Sequence, residues 1–375
     1  VTAPPSEPAA AGTPGFCAAE ARRSTRPVVV FDLGGTWFRA GVLVDGDTVA
    51  AFRRHPAVTR GTAPAAPATA AVLQQRIVDW LVRTLDEIRL EWPTALDLCA
   101  VSLGAAMDGR TGHVVGSAPL FGSERTDWWP ARELSARRPD ARWSVVNDVS
   151  ALAYALLRND RLDQRRQAAA VTVSTGIAYR TIDLATGRIP LDREHGLQGE
   201  IGHLPAQLHW DGAPVTARCD CGAPDHVGAL SSGAGIGRFL RSLPAPVWGG
   251  TDTPNRSTAQ TLASFGGLVA QSHRGALRVL DAVTLPLARV LLAQAALNPE
   301  VEHTVLTGGV VDNLGDAYLA SLLRNLNQLG LYGISDRDQG YFARRIVRGQ
   351  PNGLNALRGA GVHARGILNE RAHTA

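Results

Sequence analysis

Two stretches constrain this chain more than any others: VVVFDLGGTWFRAGVLV at residues 28–44 and AAAVTVSTGIAYRTIDLATG at residues 168–187. Each is an apolar run rich in Val and Ala, then a polar turn containing glycine, then a second apolar run. That is the pattern of a β-hairpin whose strands are buried. Two such units far apart in sequence, each followed by helical and strand segments, predict two mixed α/β lobes that each open with a hairpin. A cleft between the lobes is the natural place for a reaction.

The intervening segments fit that plan. DGDTVAAFRR adds a turn and a third strand to the first hairpin, and the loop RGTAPAAPATA leads to a helix with Leu73, Ile77, Trp80, Leu81, Leu85 and Ile88 on one face. LDLCAVSLGAA reads as a strand, as does RWSVVND, which runs directly into the helical VSALAYALL. Later, Leu277–Leu297 is helical in pattern with Pro286 as a kink or break, HTVLTGGVV is a strand ending in a Gly-Gly turn, and DAYLASLLRNL is a helix. GAGIGRF at Gly233 resembles a dinucleotide loop, but no strand precedes it, so it reads as a helix start. The expected organisation is a disordered Pro/Ala-rich tail over 1–26, an N-terminal lobe over 27–146, a C-terminal lobe over 147–350, and a terminal helical segment over 351–375 packing back on the N-terminal lobe.

Composition removes several function classes. At 375 residues with 45% hydrophobic residues the chain can bury a core in each lobe. No apolar run reaches the ~18 residues of a membrane span, and no basic-then-apolar leader opens the chain, so a cytoplasmic protein is expected. The net charge of +4 comes entirely with Arg, there being no Lys, and Arg22, Arg23, Arg137, Arg138, Arg344 and Arg345 lie in scattered pairs. No basic arm with interleaved aromatics marks a nucleic-acid partner. Four cysteines, two of them solitary, do not make a disulfide framework.

The residues that carry chemistry cluster at the turns. In DLGGT, Asp32 to Thr36, the backbone at Gly34 and Gly35 can approach an anion closely, the Thr36 hydroxyl can bind phosphate, and Asp32 can hold Mg²⁺ through water. The alternative is a plain tight turn. Ser174, Thr175 and Gly176 form the second hairpin's turn, and Gly308 and Gly309 follow a late strand. Each is weak alone, but together they suggest one nucleotide held by both lobes. Asn147 and Asp148 end a strand, where Asp148 reads either as a helix cap or as a general base for a hydroxyl nucleophile. Finally, GEIGHLPAQLHWDGAPVTARCDCGAPDHVG brings His203, Cys219, Cys221 and His226 within two dozen residues, a ligand set for tetrahedral zinc. Four protein ligands leave no open position, which argues against a zinc hydrolase.

DLGGT, NDVSA, STGIA, GEIGH, CDCG and NPEVEHTVLTGGV, in this order, resemble the ROK family of bacterial sugar kinases and related repressors, over Val28 to about Leu323. The resemblance implies the two-lobed α/β fold of the actin-like, ribonuclease H-like ATPases, the sugar kinase, Hsp70 and actin superfamily. It implies Asp148 as catalytic base, Asn147 and Glu200 as ligands of sugar hydroxyls, and His203 as a zinc ligand that also approaches the sugar. ATP phosphates would lie on Asp32–Thr36 and Ser174–Gly176, with Gly308 and Gly309 bordering the adenosine. A homodimer, ATP, Mg²⁺ and a structural Zn²⁺ are implied with it.

The departures are informative. His226 stands where the family has a third zinc-binding Cys. Gly228 stands where it usually has a sugar-binding Glu near the anomeric end, and Leu120 falls, across a gap, where a sugar-binding Asn is expected. Leu103 replaces the Pro of a PG pair, leaving Gly104 at the acceptor site, while Ser174 replaces a Gly and Trp37 a frequent Lys. Lost polar partners change which hydroxyls a site accepts. The expected acceptor is therefore a sugar-like molecule lacking a normal anomeric centre, a C7 cyclitol of the valiolone type phosphorylated on a primary hydroxyl. An ordinary hexose is the alternative. The family's repressors carry a helix-turn-helix domain before DxGGT, whereas here a Pro-rich tail stands there.

Overall fold

The computed structural model describes residues 16–60, 68–159, 162, 165–250, 257–350 and 353–367. The first lobe is built on a five-stranded sheet ordered Thr48–Pro56, Trp37–Val44, Val28–Leu33, Leu98–Leu103, Arg142–Asn147. The hairpin strands pair antiparallel, and Val28–Leu33, Leu98–Leu103 and Arg142–Asn147 run parallel. Register brings Asp32 opposite Arg39 on one side and Ser102 on the other, and Leu103 opposite Asn147. The carboxyl ends of the three parallel strands therefore share one edge, where ligands bind in open α/β sheets.

The second lobe repeats the plan with four strands, ordered Ile177–Asp183, Gln167–Val173, Val301–Thr307, Ile346–Arg348. Again the hairpin is antiparallel and the remaining strands are parallel, with Thr172 beside Thr307. Strands this apolar need cover on both faces. Helix Ala70–Glu91, capped by Thr69, lays Leu73, Ile77, Leu81 and Leu85 on the first sheet. Helices Arg274–Leu297 and Gly309–Leu329 bury Leu280, Leu287, Tyr318 and Leu322 in the second lobe's core.

Two helices join the lobes. Asp148–Ala155 packs on the second sheet, and Asn355–Ile367 packs on both that helix and the first sheet. Their crossing is close: a Cβ at Gly359 would sit 1.7 Å from the Ala151 carbonyl oxygen, so only glycine fits. Residues 351, 352 and 368–375 of the terminal segment lie outside the described residues.

Two local expectations change. The tail is not wholly irregular: 1–15 lie outside the described residues, but Ala18–Arg23 is helical, Ala21 is fully buried, and the Phe16 ring lies 5.0 Å from Tyr154 and 6.0 Å from His363. Six residues are too few to show a helical period and depend on packing for their helicity. Helix Arg274–Leu297 continues through Pro286, whereas non-helical dihedrals fall at Gly315, within Gly309–Leu329.

Candidate active site

Asp148 stands where the first sheet ends and the joining helix begins. The sequence left it open between cap and base, and the geometry separates the two tasks. Asn147 is the N-cap: its Oδ1 accepts from the backbone N–H of Val149 and Ser150 at 3.0 and 3.1 Å. Its Nδ2 donates to the Ala105 carbonyl at 2.9 Å and to Asp148 Oδ1 at 3.0 Å. Both amide hydrogens of Asn147 are thus engaged in this arrangement, one of them on Asp148. Asp148 Oδ2 accepts no hydrogen bond from the described residues, and a Cβ at Gly104 would lie 3.5 Å from it.

The electrostatics around Asp148 suit a base. Burial among protein atoms pushes its carboxyl up to about 7, the negative charge of Asp32 adds to the rise and Glu200 contributes, while the Val149 N–H and Arg180 oppose it. A carboxylate near neutrality takes a proton from a hydroxyl more readily than one of ordinary acidity.

From the first lobe comes Asp32, 6% exposed. Its Oδ2 accepts from Arg39 Nη1 at 2.7 Å and its Oδ1 from the Ser102 hydroxyl at 2.9 Å. Desolvation by burial raises its carboxyl, against the pull of Arg39. The turn after it lies against the short helix Ala118–Phe121, with a Cβ at Gly35 only 2.9 Å from that of Pro119. Thr36 is exposed at the turn. Asp32, the glycine turn, Gly104 and Asp148 therefore form one wall of the cleft.

From the second lobe comes a residue that pattern reading passed over. Arg180, in the middle of strand Ile177–Asp183, is 2% exposed. Its Nη2 meets Glu200 Oε1 at 3.2 Å, its Nε the Ser150 hydroxyl at 3.2 Å, and its Nη1 the Tyr179 carbonyl at 2.9 Å. The signal was a charged residue inside an apolar strand next to a hairpin turn, since buried Arg is rare without a partner. Gly199, at φ +67°, lets the loop carrying Glu200 lie on this strand: its carbonyl accepts from Tyr179 N–H at 2.9 Å, and a Cβ there would sit 2.0 Å from Tyr179 O.

A second glycine-rich wall lies at the carboxyl end of the second sheet. The turn Ser174–Gly176 meets two helix starts. Gly233 N–H, at the head of Gly233–Ser242, donates to Ser174 O at 2.7 Å. Gly308, at φ +103°, precedes Gly309–Leu329 and approaches so close that a Cβ would lie 2.6 Å from Val173 O. Helix N-termini beside exposed Thr175 and Gly176 offer N–H groups and a favourable dipole to a phosphorylated ligand. GAGIGRF, read as a helix start, thus lies where the other glycine turns meet.

His203, Cys219, Cys221 and His226 come together with their ligand atoms all within 4.8 Å of one another. Cys219 Sγ is 3.7 Å from His203 Nδ1, and Cys221 Sγ is 3.4 Å from His226 Nδ1. Bonds of about 2.0–2.3 Å in a tetrahedron put ligands about 3.3–3.8 Å apart, a range that holds both Cys–His distances, and the two-His, two-Cys donor set suits zinc. The His203 backbone N–H donates to Glu200 O at 3.0 Å, linking the cluster to the loop that bears Glu200. A hollow of about 490 Å³, lined by Ile201, Leu204, Pro286 and Leu297 among others, has Arg289 as the only ionisable group in its lining, which includes neither Asp32 nor Asp148.

With this geometry in place, likeness to known proteins is decisive. The ROK family model matches residues 31–345. The chain belongs to the ROK family. Over 345 residues it is 40% identical to a 2-epi-5-epi-valiolone 7-kinase of an Actinoplanes species, covering 90% of this chain and 92% of that protein. It is 28% identical over 331 residues to a C(7)-cyclitol 7-kinase of Streptomyces hygroscopicus subsp. jinggangensis, covering 82% and 86% respectively. A ROK hexokinase from Thermus thermophilus shares the fold at a TM-score of 0.65 and 21% identity, across 92% of this chain and all of that one. The two-lobed actin-like architecture is thus the family's own. No described helix is long and apolar enough to cross a membrane.

Within this ROK frame two departures look different. Leu120 is fully buried in the first lobe's core, its N–H turned to the Ser117 hydroxyl. It points into the core and leaves no exposed atom for a ligand, contrary to the expectation that it stands at a sugar-binding position. Gly228, in helix Val227–Ser231, lies against the loop that carries His203, with a Cβ 3.0 Å from Gly202 O. Besides lacking a carboxylate, this position now serves a close backbone approach, and a larger residue forces the two apart.

Proposed function

We propose that this ROK protein transfers the γ-phosphoryl group of ATP to the primary hydroxyl of a C7 cyclitol of the valiolone type. The observation that carries the acceptor is the 40% identity to a 2-epi-5-epi-valiolone 7-kinase over nearly the whole of both chains. The absence of a carboxylate at Gly228 agrees with an acceptor that has no ordinary anomeric centre.

In this reading Asp148, aligned by Asn147, takes the proton from the attacking hydroxyl, and Glu200 and His203 receive other hydroxyls of the ring. ATP phosphates lie between Asp32–Thr36 and Ser174–Gly176, with Gly308 and Gly309 beside the adenosine. Mg²⁺ supplies charge neutralisation on the transferred phosphoryl group. Asp32, nearly buried and with both oxygens bonded, fits a water-mediated contact to that ion better than a direct one. Zn²⁺ would be held by His203, Cys219, Cys221 and His226 as a closed structural clip that stiffens the loop bearing Glu200. Lobe closure excludes water so that the hydroxyl, not water, is phosphorylated.

An ADP-release assay across 2-epi-5-epi-valiolone, related C7 cyclitols, glucose, mannose and N-acetylmannosamine tests the reading. The expected result is a kcat/KM for a valiolone-type cyclitol about a hundredfold or more above that for glucose. Glucose as the best acceptor would overturn it.

A further inference from the structure

A guanidinium buried in mid-strand has lost its hydration and persists only where acceptors replace that water. The three acceptors around Arg180 come from three places: its own strand through the Tyr179 carbonyl, the joining helix through Ser150, and the loop through Glu200. Ser150 lies two residues after Asp148, so one rigid, planar cation links the helix turn bearing the base to the carboxylate on the acceptor wall. The Gly199–Tyr179 backbone bond holds the same loop independently of the ion pair. Glu200 itself keeps 40% of its side chain exposed, and its Oε2 accepts no hydrogen bond from the described residues.

We infer that Arg180 is a positioning residue for the acceptor, clamping Oε1 of Glu200 so that Oε2 alone is presented to a substrate hydroxyl. The clamp also leaves the Glu200 carboxylate paired with a cation, as suits the binding of a neutral polyol. Because Arg180 is shielded by its own partners, it acts through Glu200 and does not touch the substrate. The inference rests on the acceptor-kinase reading above.

The test is a double-mutant cycle on the full chain, measuring kcat, acceptor KM and ATP KM with the best acceptor of the panel for wild type, Arg180→Met, Arg180→Lys, Glu200→Ala and the double variants. Losing a charge-assisted hydrogen bond to a binding carboxylate raises acceptor KM about ten- to hundredfold, while ATP KM moves less than about twofold. With Glu200→Ala already present, Arg180→Met adds less than about threefold, because the group it positions is gone. Arg180→Lys, which keeps the charge and loses the fork, recovers part of the loss. Equal fold-changes in both backgrounds, an ATP KM rising in step, or an acceptor KM within about twofold of wild type overturns the inference. Should Arg180→Met fail to fold, Arg180→Lys with and without Glu200→Ala carries the same comparison. A wild-type protein that phosphorylates none of the panel defeats the functional reading and this inference together, whereas active wild type with an indifferent Arg180→Met defeats this inference alone.

Discussion

The two lobes use one plan, a buried hairpin with parallel strands beside it, and they bring opposite charges to Asp148. In the first lobe the buried member of the ion pair is a carboxylate, Asp32, matched by Arg39 on the neighbouring strand at 2.7 Å. In the second it is a cation, Arg180, matched by Glu200 on a loop at 3.2 Å. Asp32 pushes Asp148 toward its protonated form and Arg180 pulls it back. The same scaffold thus sets a buried carboxylate on one side of Asp148 and a buried cation on the other. The base between them titrates under the influence of both.

Removing the base should have the largest effect. Asp148→Asn is expected to lower kcat by about 10²–10⁴, since the amide cannot take the hydroxyl proton. Its stability should move the other way. A carboxyl whose pKa is raised in the folded state contributes stability below its unfolded value near 4, and loses it as pH rises through about 7. At pH 8 the uncharged Asn avoids that cost, so thermal melting should show the variant at least as stable as wild type. A variant that melts well below wild type at pH 8 would mean that Asp148 is held for structure.

The contrast between the lobes predicts opposite shifts of the pH profile. Wild-type kcat/KM should rise with pH through an acid limb near 7 as Asp148 loses its proton. Asp32→Asn removes a repulsive charge and leaves Arg39 unpaired, so the limb should move to lower pH. Arg180→Met removes an attractive charge and leaves Glu200 uncompensated, so the limb should move to higher pH. Shifts in the same direction for both variants would refute the account of how the two pairs face Asp148.

The smallest effect concerns the clip. His226→Ala should lower zinc content, measured by elemental analysis, and reduce the melting temperature by several degrees. It should raise acceptor KM more than it lowers kcat, because the four ligands would hold the metal on the loop and not at the reacting atoms. Unchanged zinc and melting would show that His226 is not a metal ligand.

Much of this site was legible because its chemistry lies at turns. Glycine turns after apolar strands announced Asp32–Thr36, Ser174–Gly176 and Gly308–Gly309, and metal-ligand spacing announced His203, Cys219, Cys221 and His226. What sequence left open was which of two adjacent polar residues caps the helix, since capping by Asn147 and the burial of Asp148 are matters of side-chain direction. Arg180 stayed hidden because strand alternation says nothing of a partner 20 positions away on a folded-back loop. Leu120 was misplaced because a gapped local alignment cannot tell a core-facing position from a cleft-facing one. The short helix Ala18–Arg23 escaped because its burial comes from Asn355–Ile367 at the far end of the chain.

The most direct measurement of the central claim is proton-coupled phosphorus NMR of the product formed from ATP and 2-epi-5-epi-valiolone. Transfer to the primary hydroxyl predicts a phosphate ester signal split into a triplet by the adjoining CH₂, absent with Asp148→Asn. A doublet, from a phosphate on a ring carbon bearing one hydrogen, or the release of inorganic phosphate alone, would contradict it.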